Sequence, residues 1–110
     1  AVHWAEKTAD EMDASIEIID LRTLIPWDQE TVFDSVKKTG KCLVLVEDTA
    51  TGSFGAEIVA AVSEHCFEYL DGPVTRVSSL DTPVPFHPKL EARFLASFQL
   101  KDKLTSLIEY

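Results

Sequence analysis

One stretch, residues 41–70, constrains the fold of this chain more than any other. It begins with five consecutive apolar residues, Cys42–Val46, which is the pattern of a short strand buried on both faces, as in a parallel sheet covered by helices. A glycine-containing loop follows, and Ser53 is placed to cap the next helix. That helix has an apolar face formed by Ile58, Ala61, Val62 and Cys66. The stretch therefore predicts a strand–loop–helix unit on which the other elements pack.

The residues before this unit predict two helices and one strand. Residues 1–12 are expected to be helical, and Ile16–Asp20 reads as a short β-branched strand. Asp28 is a suitable N-cap for a second helix, which Gly40 should end as a left-handed residue. The first helix has no strand before it, so we expect the chain to be a fragment of a larger polypeptide.

The residues after the unit predict a third strand and two more helices. Val74–Val77 suits the edge of a sheet, and residues 78–88 are expected to be irregular because they hold three prolines. Val84 and Phe86 suggest that this irregular segment lies on the body of the domain. A short helix should open at Pro88, and the last helix presents an apolar stripe, formed by Leu100, Leu104, Leu107 and Ile108. The alternation predicts one α/β domain over residues 1–110, with three layers and a mostly parallel sheet.

The net charge of −9 limits the classes of partner. It argues against nucleic acid and against an anionic membrane surface, and it leaves basic protein partners open. No apolar run reaches the length that spans a bilayer. The two cysteines, Cys42 and Cys66, are expected to be reduced thiols inside the core.

The glycine loop is the one candidate for a ligand site, and it consists of Thr51, Gly52, Ser53, Phe54 and Gly55. It follows a strand and opens a helix, where backbone amides can hold a phosphate group. It lacks the lysine of a Walker loop and the third glycine of a dinucleotide fingerprint. The favoured interpretation is that these glycines permit a tight turn and close helix–sheet packing.

No catalytic or metal-binding set is predicted from the residues. Asp20 ends a predicted strand, as a phosphoacceptor does in receiver domains, but no acidic pair precedes it. Glu47 and Asp48 form a carboxylate pair without a further acid or histidine nearby in sequence. The scattered histidines have no evident nucleophile partner; they are His3, His65 and His87.

Four stretches in order resemble one family, the carboxyl-terminal domain of the β chain of thiamine-diphosphate-dependent 2-oxoacid dehydrogenases. That domain has the transketolase C-terminal fold. The stretches are Ile18–Asp28, Ser35–Lys41, Thr51–Ile58 and Asp81–Pro85. Within the family, Leu24–Asp28, Glu64–Phe67 and Asp81–Pro83 look more like branched-chain than pyruvate enzymes.

The resemblance implies a non-catalytic assembly domain, because the family's catalytic residues lie outside this region. Thiamine diphosphate and magnesium bind elsewhere in such enzymes, through a Gly-Asp-Gly motif that is absent here, so no cofactor-binding residue is predicted in this chain. The resemblance also implies homo- or hetero-oligomeric subunit contacts and docking of the basic subunit-binding domain of the dihydrolipoyl acyltransferase, for which Glu109 and Tyr110 are the candidates. The expected compartment is the cytoplasm, or the mitochondrial matrix in a eukaryote. The alternative is a stand-alone flavodoxin-like or receiver-like binding module.

The family fold also implies a strand that this sequence does not contain. That strand would precede the first helix and lie between Ile16–Asp20 and the strand that begins at Cys42. Its absence leaves two outcomes: another segment or chain supplies the strand, or the two flanking strands pair directly. We expect the first outcome, because the first helix would otherwise lose its crossover packing against the sheet.

Overall fold

The structure, a computed structural model, describes residues 1–83 and 85–110. In chain order its elements are α1 (Val2–Glu11), α2 (Gln29–Thr39), β1 (Leu43–Thr49), α3 (Phe54–Cys66), β2 (Thr75–Ser79), α4 (Pro88–Phe94) and α5 (Ser97–Glu109). A 3-10 turn, Phe67–Tyr69, extends α3. No helix within the described residues is both long enough and apolar enough to cross a bilayer. Val84 falls outside the described residues.

The described part of the sheet consists of β1 and β2, which run parallel. Leu43 lies opposite Thr75 and Leu45 lies opposite Val77, and the pairing becomes irregular between Leu45 and Thr49. In the irregular part, the Ser79 hydroxyl donates a hydrogen bond of 2.6 Å to the carbonyl oxygen of Glu47. This side chain therefore helps to hold the strands together beyond the regular ladder.

Successive residues of β1 point to two separate apolar clusters, which confirms the prediction of a strand covered by helices on both faces. Val44 belongs to the α2–α3 cluster, whose buried members are Val32, Val36, Val44, Ile58, Val62 and Cys66. Leu43 and Leu45 pack against the opposite cluster, the α1–α5 cluster, whose buried members are Val77, Ala96 and Leu100. Trp4 on α1 also packs there. The architecture is therefore three layers, with α2 and α3 on one face and α1 and α5 on the other.

Both predicted ends of α2 are confirmed. The Asp28 carboxylate accepts a hydrogen bond of 3.1 Å from the backbone N–H of Thr31, which is otherwise an unpaired donor of the first turn. Gly40 ends the helix with φ of 77°, and its N–H donates to the carbonyl oxygen of Val36 at 2.8 Å. These two residues fix where the chain leaves the helix and enters β1.

The predicted strand Ile16–Asp20 is wrong. This segment has no regular secondary structure, and no backbone hydrogen bond joins it to β1. A β-branched run becomes a strand only when a neighbour completes its hydrogen bonds, and no described strand lies beside this one. Ile19 still packs against the α2–α3 cluster, and Glu17 accepts a 2.8 Å hydrogen bond from Lys38. The segment is thus held at the domain surface without belonging to the sheet.

The predicted irregular segment 78–88 differs from the structure in two ways. Ser78 and Ser79 are the last residues of β2, so the irregular part begins at Leu80. Phe86 does not lie on the body but is fully exposed. The segment is anchored at its ends instead: the Leu80 N–H donates to the Phe94 carbonyl, and His87 Nδ1 caps α4 by accepting from the Lys89 N–H. These anchors leave the Phe86 side chain in solvent.

Candidate ligand loop and docking surface

The glycine loop meets the residues that follow β2, because the carboxyl ends of two parallel strands lie at the same edge of a sheet. The Thr51 N–H donates a 2.9 Å hydrogen bond to Oδ1 of Asp81. The Thr51 hydroxyl donates to the other carboxylate oxygen, Oδ2. Asp81 therefore ties the loop to the segment after β2 with both of its oxygens.

An arginine strengthens this connection from the strand side. Arg76 on β2 donates a 2.8 Å hydrogen bond from Nη1 to the carbonyl oxygen of Ala50. The hydroxyl of Thr51 lowers the pKa of the Asp81 carboxyl, and the Thr51 N–H and the nearby Arg76 charge lower it further. Asp81 is therefore ionised at neutral pH and faces the loop. An anionic ligand at this loop would have to compete with a carboxylate that already occupies the Thr51 amide.

The glycines and the serine of the loop have packing roles. Gly52 has φ of 74°, in the left-handed region that favours glycine. Gly55 lies so close to β1 that a Cβ there would be 3.0 Å from Cγ1 of Val46. Ser53 is buried at the N-cap position of α3, but its hydroxyl donates to the Ala50 carbonyl at 3.5 Å and makes no cap. These contacts support the tight-turn interpretation, and phosphate binding stays the alternative for this loop.

The two carboxylates at the end of β1 do not share a partner. Glu47 Oε1 lies 2.7 Å from the amino group of Ala1. The Asp48 carboxylate accepts a 2.8 Å hydrogen bond from the N–H of the following residue, Thr49. In residues 1–83 and 85–110 no group of three or more His, Cys, Asp or Glu side chains is arranged to hold a metal ion. Asp20, the other acidic candidate, pairs with its exposed neighbour Arg22 at 3.2 Å.

The histidines and thiols have structural surroundings. His65 stacks on Phe33 across α2 and α3, with a distance of 5.0 Å between the ring centroids. Cys66 is fully buried, and burial raises the pKa of its thiol. Burial likewise raises the pKa of Cys42 to about 11, with a smaller contribution from Cys66. Both thiols are free and stay protonated at neutral pH, where a thiol is a poor nucleophile.

The carboxyl-terminal docking candidates are anchored while remaining exposed. Tyr110 is 74 % exposed. One edge of its ring lies over Gly72, where an added Cβ would be 3.0 Å from Cδ1 of the tyrosine. The Lys41 ammonium donates a 2.9 Å hydrogen bond to the carbonyl oxygen of Ile108 near the end of α5, where a cation complements the helix dipole. The end of the chain therefore has a defined position on the surface.

Sequence reasoning missed Asp81 and Arg76 as partners of the glycine loop. The signal was available in the predicted topology, because parallel strands place the residues after β1 and β2 at the same edge. Polar residues that closely follow the two strands are therefore expected to lie near one another. The exact contact between Thr51 and Asp81 is not encoded in local spacing, since the two residues are 30 positions apart.

This chain is similar to part of the beta subunits of two 2-oxoacid dehydrogenases. A beta subunit of 2-oxoisovalerate dehydrogenase from Pseudomonas aeruginosa is 51% identical over 84 residues, which cover 76% of this chain and 24% of the relative. The mitochondrial beta subunit 2 of 2-oxoisovalerate dehydrogenase from Arabidopsis thaliana is 54% identical over 77 residues, which cover 70% of this chain and 22% of that relative. The beta subunit of the pyruvate dehydrogenase E1 component from Mycoplasma pneumoniae is 41% identical over 97 residues, which cover 88% of this chain and 30% of that relative.

This chain thus spans between about a fifth and a third of the length of these relatives. The family described as transketolase, C-terminal domain, matches residues 1–99. That match includes α1 through the start of α5, and therefore β1, β2, the buried residues of the α2–α3 cluster, and those of the α1–α5 cluster except Leu100. The chain belongs to the transketolase C-terminal domain family.

Proposed function

We propose that this chain is an assembly domain in the beta part of a 2-oxoacid dehydrogenase, and that it takes no direct part in the chemistry. The parent reaction would be oxidative decarboxylation of a branched-chain 2-oxoacid, followed by acyl transfer to a lipoyl group. Relatives from both a bacterium and a plant support the branched-chain assignment by their names. The pyruvate dehydrogenase relative supports the wider class of enzyme.

The observation that carries the assembly role is a set of large apolar side chains left in solvent on the carboxyl-terminal third. The exposed fractions are 42% for Leu80, 104% for Phe86, 54% for Leu90 and 62% for Phe98. Exposed apolar side chains are candidate contacts for other protein surfaces where they lie together. We infer that these four side chains contact another subunit or domain of the parent enzyme.

The second contact would be with the acyltransferase core. Glu109 and Tyr110 lie at the end of α5, are exposed, and belong to a domain with a net charge of −9. Opposite charge accelerates the association of two proteins, and salt weakens that effect. A small basic domain is therefore the partner that this end of the chain would favour.

The cofactor of the parent enzyme would bind outside this chain. In the part of the chain that the structure describes, no group of three or more His, Cys, Asp or Glu side chains is arranged to hold a metal ion. Calorimetric titration of the 110-residue chain with thiamine diphosphate and magnesium should give no binding heat. Micromolar affinity, which corresponds to about 8 kcal/mol, would contradict this part of the proposal. The compartment would be that of the parent complex, the bacterial cytoplasm or the mitochondrial matrix.

The assembly role is tested in the parent enzyme by deleting Glu109 and Tyr110. Decarboxylation measured with an artificial electron acceptor should be unchanged, while co-sedimentation with the acyltransferase core should fall. A matched pair of charge variants separates a local from a general effect: Glu109→Gln should weaken association, and Glu6→Gln on exposed α1 should not. If both charge variants behave alike across a salt series, the specific role of the carboxyl terminus is refuted.

A further inference from the structure

A cleft opens between the carboxyl-terminal turn of α2 and the 3-10 turn that follows α3. It encloses about 420 Å³, which is within the range of ligand pockets, roughly 300–1,000 Å³. Six residues line it: Lys37 from α2, Glu64 and His65 from α3, and Phe67, Glu68 and Tyr69 from the 3-10 turn. None of them belongs to the glycine loop or to the carboxyl-terminal docking candidates. We call this feature the aromatic cleft.

Two contacts fix the walls of the aromatic cleft. At one end, the ring of His65 on α3 stacks on Phe33 of α2, with 5.0 Å between the ring centroids. At the other end, the N–H of Asp71 donates a 2.7 Å hydrogen bond to the carbonyl oxygen of Gly40, which ends α2. The 3-10 turn lies between these contacts. Binding of a ligand would therefore require little further ordering of the walls.

The two aromatic rings of the cleft are open to solvent. The exposed fractions are 75% for Phe67 and 48% for Tyr69. The Lys37 ammonium lies 5.3 Å from the centroid of the Tyr69 ring, which is within the distance of a cation–π interaction. One ring of the cleft thus already holds a cation, and Phe67 adds a second ring that is more exposed.

The charges of the cleft also favour a positive ligand. Glu64 and Glu68 are exposed, and no salt bridge found within the described residues involves either of them. With Lys37, the lining carries two carboxylates and one ammonium group. The net charge of −9 on the whole chain acts in the same direction. An anion would have to approach two carboxylates, whereas a cation would gain two partners.

We propose that the aromatic cleft binds a small organic dication of the aliphatic polyamine class. The ammonium groups of this ligand pair with Glu64 and Glu68, and its methylene groups lie on the rings of Phe67 and Tyr69. The Lys37 ammonium leaves the Tyr69 ring on binding, because the ligand occupies the same face. A magnesium ion keeps its water and has no methylene surface, so it cannot replace the organic ligand. The site is independent of the assembly role proposed above.

The first test is a titration of the 110-residue chain with putrescine, followed by the amide resonances in NMR spectra. Magnesium chloride at the same concentrations is the comparison, because both cations carry two positive charges. The amides of Phe67, Glu68 and Tyr69 should shift and saturate with putrescine and should hardly move with magnesium. Equal shifts with the two salts would mean that only charge is sensed, and would overturn the proposal.

The second test uses variants of opposite expected sign, all at exposed positions. Lys37→Gln removes the competitor for the Tyr69 ring and should raise the affinity for putrescine about two- to fivefold. Lys7→Gln on α1 removes the same charge elsewhere and should change the affinity far less. Phe67→Leu should weaken binding by a similar factor, whereas Phe98→Leu on α5 should not. Equal effects of the two lysine variants, or of the two phenylalanine variants, would overturn the assignment to this cleft.

Discussion

The contact between Gly55 and Val46 gives the sharpest test of how α3 packs on the sheet. Gly55 lies in the first turn of α3, and a Cβ there would be 3.0 Å and 3.3 Å from the two methyl carbons of Val46. The optimal separation between carbon atoms is about 3.5–4.0 Å. Valine is stiff at χ1, so it cannot easily rotate away. Gly55→Ala therefore forces the helix and the strand apart or strains the valine.

Two effects of opposite sign determine the measured change in the free energy of unfolding. Replacing glycine by alanine inside a helix stabilises it by up to about 1 kcal/mol. Overpacking a filled site costs about 1–3 kcal/mol. We expect the steric effect to exceed the propensity effect, so that Gly55→Ala lowers stability by about 1 kcal/mol. In a Val46→Ala background the steric effect disappears, and Gly55→Ala should raise stability by up to about 1 kcal/mol.

The assay is urea unfolding of the four members of this double-mutant cycle, followed by circular dichroism. Ala60 supplies a matched control, because it is exposed on the same helix. Ala60→Gly should cost about 1 kcal/mol from helix propensity alone. If Gly55→Ala raises stability equally with Val46 present and in the Val46→Ala background, the close contact does not constrain α3, and the packing explanation for Gly55 is wrong.

Four further predictions concern a helix cap, the acid dependence of stability, the core and the thiols. Asp28→Ala removes the acceptor of the α2 N-cap and should lower the midpoint of urea unfolding. Asp28→Asn keeps an acceptor oxygen and should therefore retain most of the stability that the cap provides. Equal midpoints for the two variants would refute the cap. Hydrogen bonds lower the folded-state pKa of Asp28 and Asp81. The stabilisation of the folded state by these two carboxylates is therefore fully present above their unfolded-state pKa and is lost as the pH falls through their folded-state pKa. Stability of an Asp28→Asn/Asp81→Asn variant should therefore depend less on pH in the acid range, and an unchanged acid titration of stability would contradict this. Val62→Ala empties part of the α2–α3 cluster and should cost about 2 kcal/mol in urea unfolding; a loss below about 0.5 kcal/mol would mean that the site collapses. Cys42 and Cys66 should react far more slowly with a thiol reagent at about pH 8 in the native state than in urea, and similar rates would contradict their burial.

Local sequence signals were sufficient for the elements whose ends are set by one or two side chains. Asp28 and Gly40 mark the ends of α2 because a cap and a left-handed residue act within a few positions of the helix. The β1–loop–α3 unit was predictable because an unbroken apolar run implies burial on both faces.

The sequence was misleading where structure depends on a distant neighbour. Ile16–Asp20 has the composition of a strand, but composition does not provide the partner that completes its hydrogen bonds. The apolar character of Phe86 predicts that it lies on the body of the domain, yet the anchors on each side of it leave its side chain in solvent. The Thr51–Asp81 bond joins two loops and follows only from the parallel pairing of β1 and β2.

The contacts of Ala1 and Ile108 place the two ends of the chain near opposite ends of β1. Ala1 contacts Glu47, and the carbonyl oxygen of Ile108 contacts Lys41, which precedes the strand. Extended chain from Lys41 to Glu47 measures about 20 Å. The amino group of Ala1 and the carboxyl end of α5 are therefore separated by roughly the length of the strand. A contact made at the end of α5 would leave the surroundings of Ala1 and Glu47 uncovered.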